Sequence, residues 1–305
     1  MNTTNNHITM QSAPAEVTSY YERLAALSED YANQRSILPL VFRKFNDDDI
    51  IRIQNKIGVN PIDLKSLLLG SCRANKAFAD LMDSSPVDEA PSTIVRSCSK
   101  LSTLNTSEGE ALSWLLRFLV ASNCSDLQRI RNESFLDGYL AYFQSQVEAP
   151  ERLGRLAAMF TGCVPSLEIL IKDLNVATLA DILWCLGHSV EELWARSSGS
   201  AGQDLSDVIE FRFAADPEEF RRDRIVDGAT AIDSARKDEI CTKLRSFSAQ
   251  EGEALCWLLD FLISGGFANV AVSELQWRNL HFAEGFVVGA QHACANAPEL
   301  TAAIC

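Results

Sequence analysis

Two stretches of the chain, "SEGEALSWLLRFLVAS" (107–122) and "QEGEALCWLLDFLISG" (250–265), have nearly the same sequence. When the comparison is extended backward without a gap, residues 98–122 and 241–265 are identical at 13 of 25 positions. The shared pattern is longer than one helical turn or one capping motif. The sequence therefore predicts an internal duplication.

Weaker similarity continues on both sides of these stretches and extends the duplication to whole domains. The further pairs are "LPLVF" (38–42) with "LAAMF" (156–160), "IGVNPIDLKSLLLG" (57–70) with "LNVATLADILWCLG" (174–187), and "SDLQRIRNESFLDG" (125–138) with "SELQWRNLHFAEG" (273–285). In this alignment we expect Gly138 and Gly285 to occupy equivalent places.

The apolar residues of both copies recur with helical spacing. In 106–122 they cover more than one face, which predicts a central helix enclosed by its neighbours, with Trp114 and Trp257 as core anchors. Only "DVIEFRFAA" (207–215) is compatible with a strand. The sequence predicts an all-α fold of two tandem, pseudo-repeated helical bundles with about five or six helices each.

The duplication also sets the expected domain boundaries. We expect a disordered tail over 1–15, an extra N-terminal helix over 16–33, a first repeat domain over 34–150 and a second over 151–305. The second copy is the longer one, and its insertion is expected within 196–230.

Composition restricts the class of protein. The chain has 305 residues, a formal net charge of −14, 47% hydrophobic and 22% charged residues, which is typical of a globular protein. The negative charge disfavours nucleic acid as a partner. Arg117 and Asp260 interrupt the longest apolar runs, so no membrane span is expected.

Nine cysteines occur without a pairing pattern, which indicates a reducing compartment and hence the cytoplasm. The first fifteen residues lack the basic and apolar regions of a Sec signal peptide. Their richness in Ser, Thr and Asn is similar to the leader of a bacterial type III secretion substrate. The alternative location is therefore the cytosol of a host cell.

The shared Glu-Gly-Glu motif has a first explanation in helix capping. If Asn105 and Ser248 are N-caps, Glu108 and Glu251 stand at N3, the position that completes a capping box. Because Gln also serves at N3, we expect Glu→Gln at either position to change stability little.

The second glutamate of each motif is the strongest candidate site residue. Glu110 and Glu253 are predicted to pair with Arg131 and Arg278 of their own domain, which would tie the central helix to the last helix. The alternative is functional, with the two carboxylates facing each other across the cleft between the domains and holding a ligand there.

No motif supports catalysis. The chain contains no Gly-x-Gly-x-x-Gly, Walker loop, Gly-x-Ser-x-Gly or Cys-x-x-Cys motif. The acidic run 47–49 is interpreted as the first turn of a helix capped by Asn46. We therefore predict no catalytic residue, cofactor or metal site.

These observations favour a non-enzymatic protein–protein interaction protein, such as an adaptor, regulator or scaffold, with a protein partner. The first alternative is an enzyme or small-molecule-binding protein with its site in the cleft between the domains. The second is a bacterial secreted effector that acts by binding host proteins. The oligomeric state is left open.

Overall fold

The fold is described from a computed structural model of the chain. The described residues are 20–57, 99–124, 126–145, 150–186, 201–215, 232–267 and 278–296. The predicted tail over 1–15 lies outside these ranges. Of the predicted insertion over 196–230, only residues 201–215 lie within them.

All elements in the described ranges are helices, which confirms the all-α class. They are α1 (Tyr20–Gln34), α2 (Leu38–Lys44), α3 (Asp47–Ile57), α4 (Thr106–Ser122), α5 (Leu127–Ile130), α6 (Glu133–Gln144), α7 (Pro150–Asp173), α8 (Val176–Leu186), α9 (Ala201–Ala215), α10 (Ser234–Arg245), α11 (Ala249–Ser264) and α12 (Leu280–Asn296).

The stretch 207–215 is helical, so its interpretation as a possible strand was wrong. Leu205 and Ile209 are fully buried, four residues apart on one side of α9. That spacing places them on the same helical face, whereas in a strand burial would recur at every second residue.

Both central helices begin with the predicted capping boxes. The Asn105 side chain accepts from the Glu108 backbone N–H at 2.9 Å, and the Glu108 carboxylate accepts from the Asn105 N–H at 3.0 Å. Ser248 and Glu251 make the corresponding pair at 3.3 and 2.8 Å. These bonds satisfy amide groups at the start of α4 and α11 that have no partner within the helix.

The two tryptophans are fully buried and make matching hydrogen bonds. The Trp114 indole N–H donates to the carbonyl oxygen of Leu27 in α1, and the Trp257 indole N–H donates to that of Leu156 in α7, each at 2.9 Å. A buried hydrogen bond therefore links α4 to α1, and another links α11 to α7.

Matching aromatic rings surround the two tryptophans. Trp114 stacks on Phe118 at 5.3 Å, and Trp257 stacks on Phe261 at 5.4 Å. A second ring covers each indole from the neighbouring helix: Tyr31 at 5.3 Å and Phe160 at 5.4 Å. The aromatic packing at the two places is thus similar, with Tyr31 at the first and Phe160 at the second.

The described helices share one core. The buried apolar residues from α1 to α12 form a continuous cluster, and α12 lies against both α6 and α7. At the contact of α6 with α12, Gly138 faces the backbone of Phe282 and Gly285 faces the backbone of Phe135. The close approach of these helices requires residues without a Cβ.

Among the described helices, α7 is long and apolar enough to cross a membrane by length and composition. Its buried residues Leu153, Leu156 and Leu167 lie on a helix that contacts α11 and α12. Core helices of globular proteins pass the same test, so one such helix is weak evidence for a span.

Candidate functional site

Arg131 lies directly after α5 and connects it to the junction of α2 with α3. Its Nε donates to Asp47 Oδ1 at 2.7 Å, and its Nη1 and Nη2 donate to the carbonyl oxygens of Phe42 and Phe45 at 2.9 and 3.0 Å. The guanidinium also lies 4.8 Å from the centre of the Phe42 ring. The planar group thus holds the end of one helix and the start of the next.

Arg278 has a similar position before α12. Its Nη2 donates to the carbonyl oxygen of Leu174 at 2.6 Å. Leu174 follows α7 and precedes Asn175, whose side chain caps α8, just as Phe45 follows α2 and precedes the α3 cap Asn46. Both arginines therefore bind the carbonyl group at the C-terminal end of a helix.

The structure does not pair these arginines with the predicted glutamates. Glu110 and Glu253 are exposed on α4 and α11, and neither makes an ion pair in the described part of the chain. Glu110 lies two residues beyond the buried Glu108, and that spacing turns it to another side of the helix. The predicted link of Glu110 to Arg131 is replaced by the ion pair of Asp47 with Arg131.

Glu108 has a second role that the sequence did not indicate. Its carboxylate lies 2.6 Å from Lys44 Nζ, and the glutamate side chain is only 7% exposed. The hydrogen bond from Lys44 and that from the Asn105 backbone lower the pKa of Glu108. The capping glutamate of α4 therefore also joins α4 to α2.

A groove runs along α2, and we call it the α2 groove. Its polar part, of about 390 Å³, is lined by Phe42, Arg43, Asn46, Asp47, Gln128 and Arg131. Its apolar part, of about 180 Å³, is lined by Tyr31, Leu38, Pro39, Phe42, Ile130 and Leu136, together with Arg35, Arg131 and Glu133. Phe42 and Arg131 line both parts, so the two parts are adjacent.

Most charges of the α2 groove neutralise one another. Arg35 lies 2.7 Å from Glu133 and 2.6 Å from Asp137, and Arg131 pairs with Asp47. Burial, opposed by hydrogen bonding from Tyr31, raises the pKa of Asp137. These carboxylates are held by partners, so none is an available general base.

The residues around the cap Asn175 differ from those around the cap Asn46. Counting from the matching caps Asn46 and Asn175, the sequence has Val176 in place of Asp47 and Glu168 in place of Pro39. A comparison of "NDDD" (46–49) with "NVAT" (175–178) could have shown that a carboxylate follows the cap at Asn46 but not the cap at Asn175.

A second polar cluster lies where α1, α6 and α12 meet. The Tyr139 hydroxyl is 3.1 Å from His292 Nδ1 and 3.4 Å from the Tyr20 hydroxyl. Burial raises the pKa of Tyr139 and lowers that of His292, and the positive charge of Arg129 adds to the second effect. The imidazole is therefore neutral near pH 7, and the tyrosine is a poor base or nucleophile there.

Other reactive groups do not assemble in the described part of the chain. It contains no group of three or more His, Cys, Asp or Glu side chains that could hold a metal ion. Burial raises the pKa of the thiols of Cys124, Cys163, Cys241, Cys256 and Cys294, to about 12 for Cys256. Thiols in this state are weak nucleophiles.

Comparison with known proteins adds no relative. No protein family, no curated protein and no solved structure matches the chain. The α2 groove and the residues around it are therefore the basis for inferring a function.

Proposed function

We propose that the protein is a non-enzymatic interaction protein that binds a protein partner in the α2 groove. The observation that carries this proposal is the composition of the groove, which combines apolar and aromatic side chains with arginines that are already paired with carboxylates. Tyr, Phe and Arg are the residue types enriched in protein interfaces, where an apolar centre is surrounded by polar residues.

The groove suits a protein partner better than a substrate. Its carboxylates and two of its arginines are engaged with each other, which leaves no paired acid and base free to act on a bound molecule. The apolar part, of about 180 Å³, can accept an apolar side chain from a partner.

We also propose that the chain is a tandem duplication whose first copy includes α1. The matching contacts of Leu27 with Leu156 and of Tyr31 with Phe160 support an alignment of "ERLAALSEDY" (22–31) with "ERLGRLAAMF" (151–160). In this alignment α1 and α2 together correspond to α7, with α1 as part of the first repeat rather than an extra helix over 16–33.

The proposed place of action is the cytoplasm, supported by the nine cysteines without a pairing pattern. Action in a host cell after secretion remains the alternative. In either location the proposed function is the same, because it depends on the α2 groove.

Affinity capture with matched variants tests the proposed function. Pro39 is exposed and lines the apolar part of the groove, so Pro39→Glu adds a charge there without removing a core residue. Glu is also tolerated in the first turn of a helix. The control is Glu168→Ala, which alters the exposed counterpart of Pro39 on α7.

We expect the tagged wild-type protein and Glu168→Ala to retain the same stoichiometric partner after a salt wash, and Pro39→Glu to lose it. Circular dichroism establishes that both variants are folded. Retention of that partner by all three proteins would show that the groove is not the interface. Capture of a metabolite alone would favour the site between the domains that uses Glu110 and Glu253.

A further inference from the structure

The cations of the α2 groove differ in how far they are neutralised. Arg35 has two carboxylate partners, Glu133 and Asp137, and Arg131 has Asp47 together with two backbone carbonyl groups. Arg43 lines the polar part, is exposed, and has no carboxylate partner among the residues that the structure describes. It is the charge that a partner could neutralise.

Of the polar side chains beside Arg43, Asp47 is already occupied and Asn46 offers a hydrogen-bond donor to a partner. Asp47 is fully engaged, since one carboxylate oxygen accepts from Arg131 and the other accepts from Gln128 at 2.7 Å. The Asn46 side-chain oxygen accepts from the Asp49 backbone N–H at 2.8 Å, which leaves its amide nitrogen as a donor. Arg43 and Asn46 therefore present donors to this part of the groove.

The net charge of the polar part of the groove is positive, whereas that of the whole chain is negative. The polar part is lined by two cations, Arg43 and Arg131, and one anion, Asp47, which leaves one positive charge in a chain of net charge −14. The exposed Asp48 is nearby in sequence but does not line the groove. An acidic group is attracted here even though the protein as a whole repels it.

We propose that the α2 groove binds a protein segment in which an acidic side chain stands near an apolar one. The carboxylate binds Arg43 and the Asn46 amide in the polar part, and the apolar side chain enters the part lined by Leu38, Pro39 and Leu136. This rests on the proposed function and specifies the chemistry of the partner. Phe42, which lines both parts, separates the two subsites.

A selection from a random peptide library displayed on phage tests this partner chemistry. The full-length protein is immobilised, and the same library is selected in parallel on Arg43→Glu and on Arg23→Glu. Arg23 is exposed on α1 outside the groove, so its variant carries the same change of charge as a matched control. Pro39→Glu is included as the variant that blocks the apolar part.

We expect the wild-type protein and Arg23→Glu to enrich peptides that combine Asp or Glu with a large apolar residue. A selected peptide should bind Arg43→Glu at least about tenfold more weakly than wild type, and rising salt should reduce this difference. Pro39→Glu should weaken binding of the same peptide.

Two results would overturn the proposal, and they separate it from the proposed function. If the selected peptides need Pro39 but lack acidic residues, or bind Arg43→Glu as well as wild type, the groove is an interface and the acidic partner is wrong. If no selected peptide depends on Pro39 or Arg43, the groove does not bind peptides, and the proposed function at this surface fails with it.

Discussion

Gly138 and Gly285 make the same contact in opposite directions. A Cβ on Gly138 would overlap the carbonyl oxygen of Phe282 in α12, and a Cβ on Gly285 would overlap that of Phe135 in α6. Each glycine thus faces the residue three positions before the other glycine. Reciprocal contacts of this kind are typical of two-fold interfaces, in which residue i contacts j and j contacts i.

The first prediction follows from this contact. Gly138→Ala and Gly285→Ala should each lower the free energy of unfolding by about 1–3 kcal/mol, because a backbone cannot move aside as a flexible side chain can. Gly162→Ala is the control, since nothing lies near its Cβ position on α7. It should be neutral or stabilising by up to about 1 kcal/mol. Urea denaturation measures all three, and a neutral Gly138→Ala would contradict the close packing of α6 with α12.

The second prediction concerns the ion pair of Arg131 with Asp47. The two side chains are 23% and 30% exposed, so the pair is only partly screened by water. A double-mutant cycle with Arg131→Met and Asp47→Asn should give a coupling energy of about 0.5–2 kcal/mol. The same cycle with Glu110→Gln in place of Asp47→Asn should give no coupling energy. Coupling of Arg131 to Glu110 instead would show that the observed pairing is not the one in solution.

The third prediction separates the two capping glutamates. Glu108→Gln should destabilise the protein by about 1–2 kcal/mol, because it leaves Lys44 without its charged partner, whereas Glu251→Gln should cost less than about 0.5 kcal/mol. The sequence alone predicts the same small effect for both. Thermal melting of the two variants decides between these expectations.

The pH dependence of the same residue gives a further check. The pKa of Glu108 is below its ordinary value of 4.5 in the folded state. The stabilisation from its charged form is therefore present above pH 4.5 and is lost as the pH falls through the lower, folded-state pKa. In Glu108→Gln this part of the acid destabilisation should be absent.

The fourth prediction uses His292, which contacts Tyr139 between α6 and α12. Burial lowers the pKa of His292, so the unfolded chain takes up a proton near pH 6.5 and the folded protein only at lower pH. Because the unfolded state binds more protons in this interval, stability falls as the pH decreases below that value. Urea midpoints at about pH 7.5 and about pH 5.5 should therefore differ less in His292→Gln than in wild type.

The control for this measurement is His281→Gln, whose imidazole is 62% exposed at the start of α12. The urea midpoints of this variant at the two pH values should differ as much as those of wild type. An unchanged difference in His292→Gln would mean that burial does not lower the pKa of this histidine.

Local features of the fold could be predicted because they depend on neighbouring residues. The capping boxes need only an Asn or Ser followed three residues later by Glu, and the structure has both at the expected places. The burial of Trp114 and Trp257 follows from helices that are apolar on more than one face. The strand interpretation of 207–215 was wrong because a short apolar run fits the period of a helix as well as that of a strand.

The helical class, the starts of α4 and α11, the two buried tryptophans and the similarity of residues 98–122 to 241–265 could all be derived from the sequence. Tertiary packing sets which charge Arg131 binds, the contact of α6 with α12 at two glycines, and the groove along α2. Asp47 and Arg131 are 84 residues apart, and their contact depends on how α2, α3 and α5 pack. Packing is set by the summed burial of many side chains, and no local pattern encodes that sum.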